Sequence, residues 1–332
     1  MRHLTVNGTL FDCSYQLGQR LRKEIQARLR YHHLSASARG PQWKRIHQFY
    51  HYCKKHYPRY LEELAALAEG SRSDFLELFY LNCPELSQAH HGCSSIAIVS
   101  KEKARRREST GQTLLAHNED GEPGEGGTLV TYKLPKLTFN SFVYYGELPG
   151  SAYNWNEHGL FFTVNYIPVT KIYYQYAPYY FLTRKILECR NLTAALQVLR
   201  TSPCASGFHC YIGQGKRILS VEKWGRRTSI KEVKGIDFHT NHFLHSEMQR
   251  GSEVRKGSLI RLRRLQELAR PGKTITSATL LRILFDRKNR PYPVYSTTGD
   301  KMRTLSTVVM EGGKVMIYDQ RKKSLIFRAK VF

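Results

Sequence analysis

The chain has 332 residues, of which 52 are Lys or Arg and 27 are Asp or Glu, giving a formal net charge of +25 at pH 7. Hydrophobic residues make up 41% and aromatic residues 12%, which argues against a wholly disordered chain and allows one large domain or two ordinary ones. No apolar stretch has the length of a signal peptide or of a membrane span, so the sequence predicts neither.

The basic charge leaves two interpretations open. A solvated basic surface explains it without any partner. A specific anionic partner also fits, such as nucleic acid, an acidic membrane surface or a phosphorylated substrate like coenzyme A.

The seven cysteines argue against a disulfide framework, because their number is odd and their spacing irregular. No pair forms CxxC, and no zinc-ligand spacing is present. The sequence therefore predicts a reducing cytoplasmic location, no metal site and no cofactor.

The first third of the chain has helical periodicity. It predicts helices over 11–30, 42–68 and 73–80. Pro58 is expected to kink or divide the second helix, and Gly70 is a candidate C-cap after it.

The remainder is rich in predicted strands. Two short apolar runs, 93–99 and 113–116, flank the charged segment Lys101–Glu108 and predict a hairpin whose tip is that segment. Further strands are predicted at 128–132, 141–145, 160–165, 210–212, 217–222, 229–233, 305–311, 314–318 and 325–327. Inserted helices are predicted at 178–189, 193–199, 253–269 and 277–285. This order predicts an α+β fold with extensive antiparallel sheet, packed as one body with the helical third.

A candidate reactive site lies where the helical third meets the first long strand, at Gly92-Cys93. Taken alone, a cysteine at the start of a strand is usually a core residue. Other motifs accompany it along the chain: Tyr15-Gln16-Leu17-Gly18, the helix leading to Gly70, Leu115-Ala116-His117-Asn118-Glu119-Asp120, Asn156-Glu157-His158-Gly159-Leu160, Asn165, Thr240-Asn241-His242 and Thr304–Met310. This ordered set resembles the acyl-coenzyme A:6-aminopenicillanic acid acyltransferase family of N-terminal-nucleophile (Ntn) hydrolases.

The resemblance implies a four-layer α-β-β-α sandwich made as an inactive precursor. Residues 1–92 would be a helical leader that becomes the small subunit, and residues 93–332 the catalytic subunit. The Cys93 thiol would attack the Gly92 carbonyl, and hydrolysis of the resulting thioester would free the Cys93 amine. Gly suits the position before the nucleophile because it tolerates backbone strain. The two subunits would remain associated.

The resemblance also assigns roles to individual residues. Asp120 matches an Asp that holds the nucleophile's amine, Asn241 an Asn whose side chain donates to the oxyanion, and Asn165 an Asn whose backbone N–H does so. Substrate contacts are expected from Tyr153, from Arg303 before the late strand, and from His117, although bile-salt hydrolases of the wider clan carry Arg at the His117 position.

Three functional hypotheses remain open at this level. The first is a self-processing cysteine amidase or acyltransferase whose acyl group moves from an amide or thioester to Cys93 and then to water or an amine. The second is a non-enzymatic basic protein that binds nucleic acid or acidic membrane, with strongly salt-dependent affinity. The third is a relative that kept the fold and lost turnover. His239, His242 and His245 fall in predicted strand and loop, without the His-Glu-x-x-His pattern of a zinc helix.

Overall fold

The computed structural model describes residues 1–32, 41–87, 92–100, 113–269, 275–319 and 325–330. Its helices are α1 (Leu10–Arg20), α2 (Arg22–Tyr31), α3 (Pro41–His56), α4 (Pro58–Ser71), α5 (Phe75–Leu81), α6 (Pro84–Ser87), α7 (Tyr179–Ile186), α8 (Leu192–Thr201), α9 (Lys256–Leu268) and α10 (Ser277–Leu284), with a 3-10 turn at Gln249–Gly251.

The strands of the described residues form two sheets. Sheet A has the spatial order β1 (His3–Asn7), β4 (Gly127–Leu134), β5 (Leu137–Tyr144), β6 (Tyr153–Asn156), β7 (Leu160–Ile167), β8 (Gly207–Gln214), β9 (Arg217–Trp224) and β10 (Arg227–Glu232). Sheet B has the order β11 (Gly235–His239), β2 (Ser94–Val99), β3 (Thr113–Gly121), β12 (Arg303–Glu311), β13 (Lys314–Asp319) and β14 (Leu325–Lys330).

Three large apolar clusters show that these elements stack in four layers. One cluster joins helices α1 to α8 to the outer face of sheet A, a second fills the space between the sheets, and a third packs α9 and α10 on the outer face of sheet B. On β3, Leu115 belongs to the cluster between the sheets and Leu114 to the outer one, as alternation along a strand requires. The predicted α-β-β-α architecture is confirmed.

The helical predictions for the first third are confirmed with two corrections. Leu21 separates α1 from α2, and Pro58 divides the second long helix as expected. Gly70 as C-cap was wrong, because α4 continues to Ser71 and ends at Arg72, which has φ 54°.

Gly70 instead allows two helices to cross closely. A Cβ on Gly70 would lie 2.2 Å from the Tyr15 carbonyl oxygen of α1. A Cβ on Gly18 would lie 2.4 Å from the Leu67 carbonyl oxygen of α4. Neither position has room for a side chain, so both glycines are required by the close approach of the two backbones.

The strand predictions are confirmed for most of sheets A and B, with longer strands than predicted. The β2–β3 hairpin pairs Ser94 with Asn118 through to Val99 with Thr113, while its predicted tip, Lys101–Glu108, lies outside the described residues. Strands β1, β6 and β11 were missed. Strand β1 pairs in parallel with β4, far along the chain, so no local pattern indicates its partner.

Two further observations bear on the sequence predictions. All seven cysteines are buried free thiols. Among the described helices, none combines the length and apolar character needed to cross a bilayer.

Candidate functional site

Strand β3 carries four consecutive polar residues in the core, His117 to Asp120. Because side chains alternate along a strand, His117 and Glu119 share one face, while Asn118 and Asp120 share the other. His117 lies near Tyr153 of sheet A, whereas Asn118 donates to the Leu284 carbonyl of α10. The first face therefore lies between the two sheets and the second faces the outer helices.

A hydrogen-bonded chain occupies the space between the sheets beside Cys93. The Cys93 thiol lies 3.6 Å from Glu119 Oε1, which also accepts a hydrogen bond of 2.5 Å from the Tyr144 hydroxyl. Glu119 Oε2 lies 2.8 Å from His117 Nε2, and His117 Nδ1 lies 2.7 Å from Ser95 Oγ. All of these side chains are buried.

The environment of the Cys93 thiol favours its neutral form. Burial, followed by the nearby charges of Glu119 and Asp120, raises the pKa of the thiol well above its usual value. A thiol at this position needs a base that removes its proton before it can act as a nucleophile.

Asp120 lies on the other face of β3, against Gly92. Its Oδ1 accepts a 2.6 Å hydrogen bond from Thr304 Oγ1 of β12, and its Oδ2 has no hydrogen-bond partner among the described residues. A Cβ on Gly92 would lie 3.4 Å from that oxygen. Burial raises the pKa of Asp120 to about 8, although Arg261 and the Thr304 hydrogen bond oppose the shift.

Arg261 of α9 ties Cys93 to Asn241. Its Nη1 donates to the Cys93 carbonyl and to Ser94 Oγ, and its Nη2 donates to Asn241 Oδ1 at 2.7 Å. Because a guanidinium only donates, this contact identifies Oδ1 and fixes the orientation of the Asn241 amide. Asn241 Nδ2 donates to the Tyr166 carbonyl at 2.9 Å, which leaves one of its two N–H groups for a further acceptor.

A cavity of about 490 Å³ opens beside this group. Gly92, Asp120, Asn241 and Arg261 form one wall. The remaining lining residues come mainly from the start of α9 and the segment before β12: Pro168, Arg255, Lys256, Gly257, Ser258, Pro291, Tyr292, Pro293, Ser296, Lys301 and Met302. Among the described residues, the lining thus contains four cationic side chains and a single carboxyl, Asp120.

Cys93 does not line this large cavity. Its side chain borders a narrow recess, together with Glu119, Tyr144, Tyr166 and other buried residues. Gly92 therefore lies between the thiol and the cavity, at the junction of the two spaces.

The other predicted site residues lie outside the cavity lining. Asn165 Oδ1 accepts a 2.8 Å hydrogen bond from Ser95, so its side chain belongs to the chain between the sheets. The Tyr153 hydroxyl is buried against Ser306 Oγ at 2.8 Å. Arg303 donates to the Glu125 carbonyl. Direct substrate contacts from Tyr153 and Arg303 remain predictions without support from this geometry.

Two groups have the residue types of a metal site. Ligand atoms of Cys93, His117 and Glu119 lie within 4.8 Å of one another, but these atoms are already joined by hydrogen bonds. The three later histidines are engaged in separate contacts, His239 with Glu222, His242 with Ser258 and His245 with Ser229. Both arrangements fit hydrogen-bonded polar clusters.

Sequence reasoning missed Glu119 and Arg261 as members of the site. Two signals indicate them in retrospect. Glu119 belongs to an unbroken polar run inside a buried strand. Arg261 occupies the buried stripe of α9 together with Ser258, Leu262 and Leu265, a position where an apolar side chain is expected.

The chain is similar to known proteins. Residues 106–325 match the model of the family described as acyl-coenzyme A:6-aminopenicillanic acid acyl-transferase. That match begins after Cys93 and includes Asp120 and Asn241. The chain is also 31% identical over 180 residues to the beta-alanyl-dopamine/carcinine hydrolase of Drosophila melanogaster, a match that covers 48% of this chain and 45% of that relative.

Two solved structures are also similar. A mutant of the conjugated bile acid hydrolase from Clostridium perfringens aligns with a TM-score of 0.47 and 12% identity over 72% of this chain and 92% of that one. The penicillin V acylase from Agrobacterium tumefaciens aligns with a TM-score of 0.42 and 12% identity over 72% of this chain and 86% of that one.

Proposed function

The chain belongs to the acyl-coenzyme A:6-aminopenicillanic acid acyl-transferase family, and from this premise we propose that it cleaves its own Gly92–Cys93 bond and then uses Cys93 to break the amide bond of a small molecule. The observation that carries the proposal is the position of this peptide bond. It lies between a buried thiol with a carboxylate beside it and a 490 Å³ cavity, and the Asp120 oxygen next to Gly92 has no hydrogen-bond partner in the described part of the chain.

Self-cleavage would assemble the catalytic group. The released Cys93 amine has an ordinary pKa of about 7.7–8.0 against about 8.5 for a thiol, so one residue supplies both a base and a nucleophile near neutral pH. Asp120 Oδ2 is the proposed acceptor of a hydrogen bond from that amine. Departure of the Gly92 end would also open the path from the cavity to the thiol.

Turnover would proceed through an acyl group on the Cys93 sulfur. Asn241 lines the cavity, and its remaining N–H is the proposed donor to the oxyanion. Asn241 Nδ2 contacts the carbonyl of Tyr166, the residue after Asn165, and the backbone N–H of Asn165 is the proposed second donor. A donor of this kind contributes about 2.7–4 kcal/mol of transition-state stabilisation. Water is the proposed acceptor of the acyl group and an amine the alternative acceptor.

The proposal is tested on the purified full chain. Intact mass and N-terminal sequencing should show two chains, one of which begins at Cys93. Incubation with a slowly hydrolysed amide or thioester should add the acyl mass to the 93–332 chain alone. A chain that stays whole under prolonged incubation would contradict the proposal, and salt-dependent binding of a polyanion would then be measured.

We predict that the two fragments stay associated after cleavage. Strand β1 is part of sheet A, Arg28 of the leader is buried in ion pairs with Glu125 and Glu147, and Glu63 pairs with buried Arg184. Separating the fragments would expose all of these groups and the apolar faces of the helices. Co-elution in native gel filtration and separation only in denaturant are expected; native dissociation would contradict this prediction.

The cationic lining of the cavity predicts a substrate with an acidic group. Lys256 and Lys301 line it, and across the described residues neither forms an ion pair with a carboxylate. Since one such cation contributes about 1 kcal/mol to a nearby unit charge, the succinyl 4-nitroanilide should exceed the β-alanyl one by at least ~10-fold in kcat/KM. The butanoyl compound should fall between them.

Charge-reversal variants provide the control for this prediction. Lys256→Glu and Lys301→Glu should reduce or invert the preference, whereas Lys54→Glu on the distant helix α3 should leave it unchanged. An unchanged preference in both cavity variants would show that these lysines do not contact the substrate's charged group. Beta-alanyl-dopamine and carcinine, the compounds in the name of the Drosophila relative, should be tested as substrates alongside the nitroanilides.

A further inference from the structure

A precursor that cleaves at Cys93 needs a base other than the one used after cleavage. Before the cut, the nitrogen of Cys93 is an amide and cannot accept the thiol proton. Burial disfavours spontaneous loss of that proton. In the self-cleavage proposed above, on which this inference rests, another side chain must therefore take the thiol proton.

Glu119 is placed to do so. Its Oε1 accepts a hydrogen bond from the Cys93 thiol at 3.6 Å, and it lies on the same side of sheet B as the thiol. Asp120, the other carboxyl nearby, extends to the opposite face of β3, where Thr304 binds one of its oxygens. The two carboxyls therefore lie at different places: Glu119 is near the Cys93 sulfur and Asp120 is near Gly92.

The contacts of Glu119 hold its carboxylate in one orientation. The Tyr144 hydroxyl donates to Oε1 at 2.5 Å, and His117 Nε2 lies 2.8 Å from Oε2. His117 is in turn held by Ser95, which also donates to Asn165. A carboxylate anchored at both oxygens meets the geometric requirement for a general base, since its position relative to the proton is set before the reaction.

We propose that Glu119 is the general base of the self-cleavage reaction and that His117 is its positioning residue. Glu119 removes the thiol proton as the sulfur electron pair forms a bond to the Gly92 carbonyl carbon. The Gly92–Cys93 C–N bond then breaks, and the leaving nitrogen takes up the proton, which returns Glu119 to its ionised form. Water hydrolyses the resulting thioester, giving the Gly92 carboxylate and the free thiol.

The test follows the cleavage rate of full-length chains after cell-free synthesis, by intact mass. Glu119→Gln should cleave at least ~100-fold more slowly than wild type at pH 7, the contribution typical of a general base. Its rate should rise steeply with pH, because hydroxide must replace the carboxylate. Glu85→Gln is the matched control, since Glu85 is a buried carboxyl that accepts from Tyr179 N and Ser206 and lines neither the cavity nor the recess beside Cys93.

Hydroxylamine, which cleaves thioesters, identifies the blocked step. If Glu119 acts before the thioester forms, hydroxylamine should not restore cleavage in Glu119→Gln. Rapid cleavage on its addition would mean that the thioester had accumulated, and would overturn the assignment. Wild-type cleavage rate in Glu119→Gln would overturn it too, while leaving self-cleavage itself intact. A wild-type chain that never cleaves would overturn both proposals.

The role of His117 is tested by a double-mutant comparison. If His117 acts through Glu119, then His117→Gln should slow cleavage in the wild-type background and have little further effect in Glu119→Gln. Equal slowing in both backgrounds would show a general structural role instead. Should Glu119→Gln not fold, Glu119→Asp and Tyr144→Phe replace it. Both variants disturb the position of the carboxylate, and wild-type cleavage rates in both would overturn the proposal.

Discussion

Replacement of Cys93 by Ala is expected to leave a single uncut chain without amidase activity. The methyl group of Ala cannot attack the Gly92 carbonyl, and no nucleophile replaces the sulfur. Loss of a small thiol from the residue before β2 costs little packing, so the variant should fold. Intact mass over a week of incubation, together with turnover of the succinyl 4-nitroanilide, gives the result.

Cys210→Ala is the matched control for this variant. Cys210 is a fully buried free thiol on β8 that lines neither the cavity nor the recess beside Cys93. It should cleave and turn over at nearly the wild-type rate. Cleavage that persisted in Cys93→Ala would rule out Cys93 as the attacking group.

Replacement of Asp120 by Asn is expected to lower turnover by about 100-fold, a loss typical of a misplaced catalytic group. The amide lacks the charge that stabilises an adjacent ammonium, and its NH₂ group presents a donor where the Cys93 amine requires an acceptor. Maturation should also be slower. Wild-type processing and turnover in Asp120→Asn would remove Asp120 from the site.

Asp120 also makes the stability of the uncut chain depend on pH. Its pKa is raised from 3.8 to about 8, so between these values the folded chain binds more protons than the unfolded chain. Stability from this group is therefore complete below about pH 4 and is lost progressively as the pH rises to about 8.

Urea unfolding in the Cys93→Ala background measures this effect. From pH 5 to pH 8, the free energy of unfolding should fall by about 3–4 kcal/mol less with Asp120→Asn than without it. This figure follows from about 1.4 kcal/mol per pKa unit across the interval. Glu63 and Glu85, whose pKa values burial raises to about 7, contribute equally in both variants. An identical pH dependence with and without Asp120 would contradict the raised pKa.

Much of the secondary structure was predictable because it follows from local periodicity. Helix α4 begins at Pro58, whose fixed φ suits the first helical turn, and α5 begins after Asp74, whose carboxylate accepts from two backbone N–H groups. Strands β2 and β3 were predicted because apolar runs of strand length flank a polar segment. Strand β1 was missed because its pairing with β4 is set by long-range contact alone.

The candidate site divides in the same way. Cys93, Asp120 and Asn241 were identified from the order of motifs along the chain, which does not depend on how the chain folds. The opposite faces of β3 were implicit in the alternation of His117 to Asp120. The residues around those faces could not be predicted, because Tyr144, Thr304 and Arg261 lie on other elements.

The sequence by itself therefore determined most helices and strands, the α+β class and, through motif order, the family resemblance. Only the tertiary structure showed that Gly70 lies where α1 and α4 cross and that Glu119 and Asp120 lie on opposite faces of β3. It also showed that Arg261 binds both Cys93 and Asn241. The physical reason is the distance along the chain over which each interaction acts. Periodicity and capping act within a few residues, whereas burial, ion pairing and the shape of a cavity depend on segments that meet only after the sheets have packed.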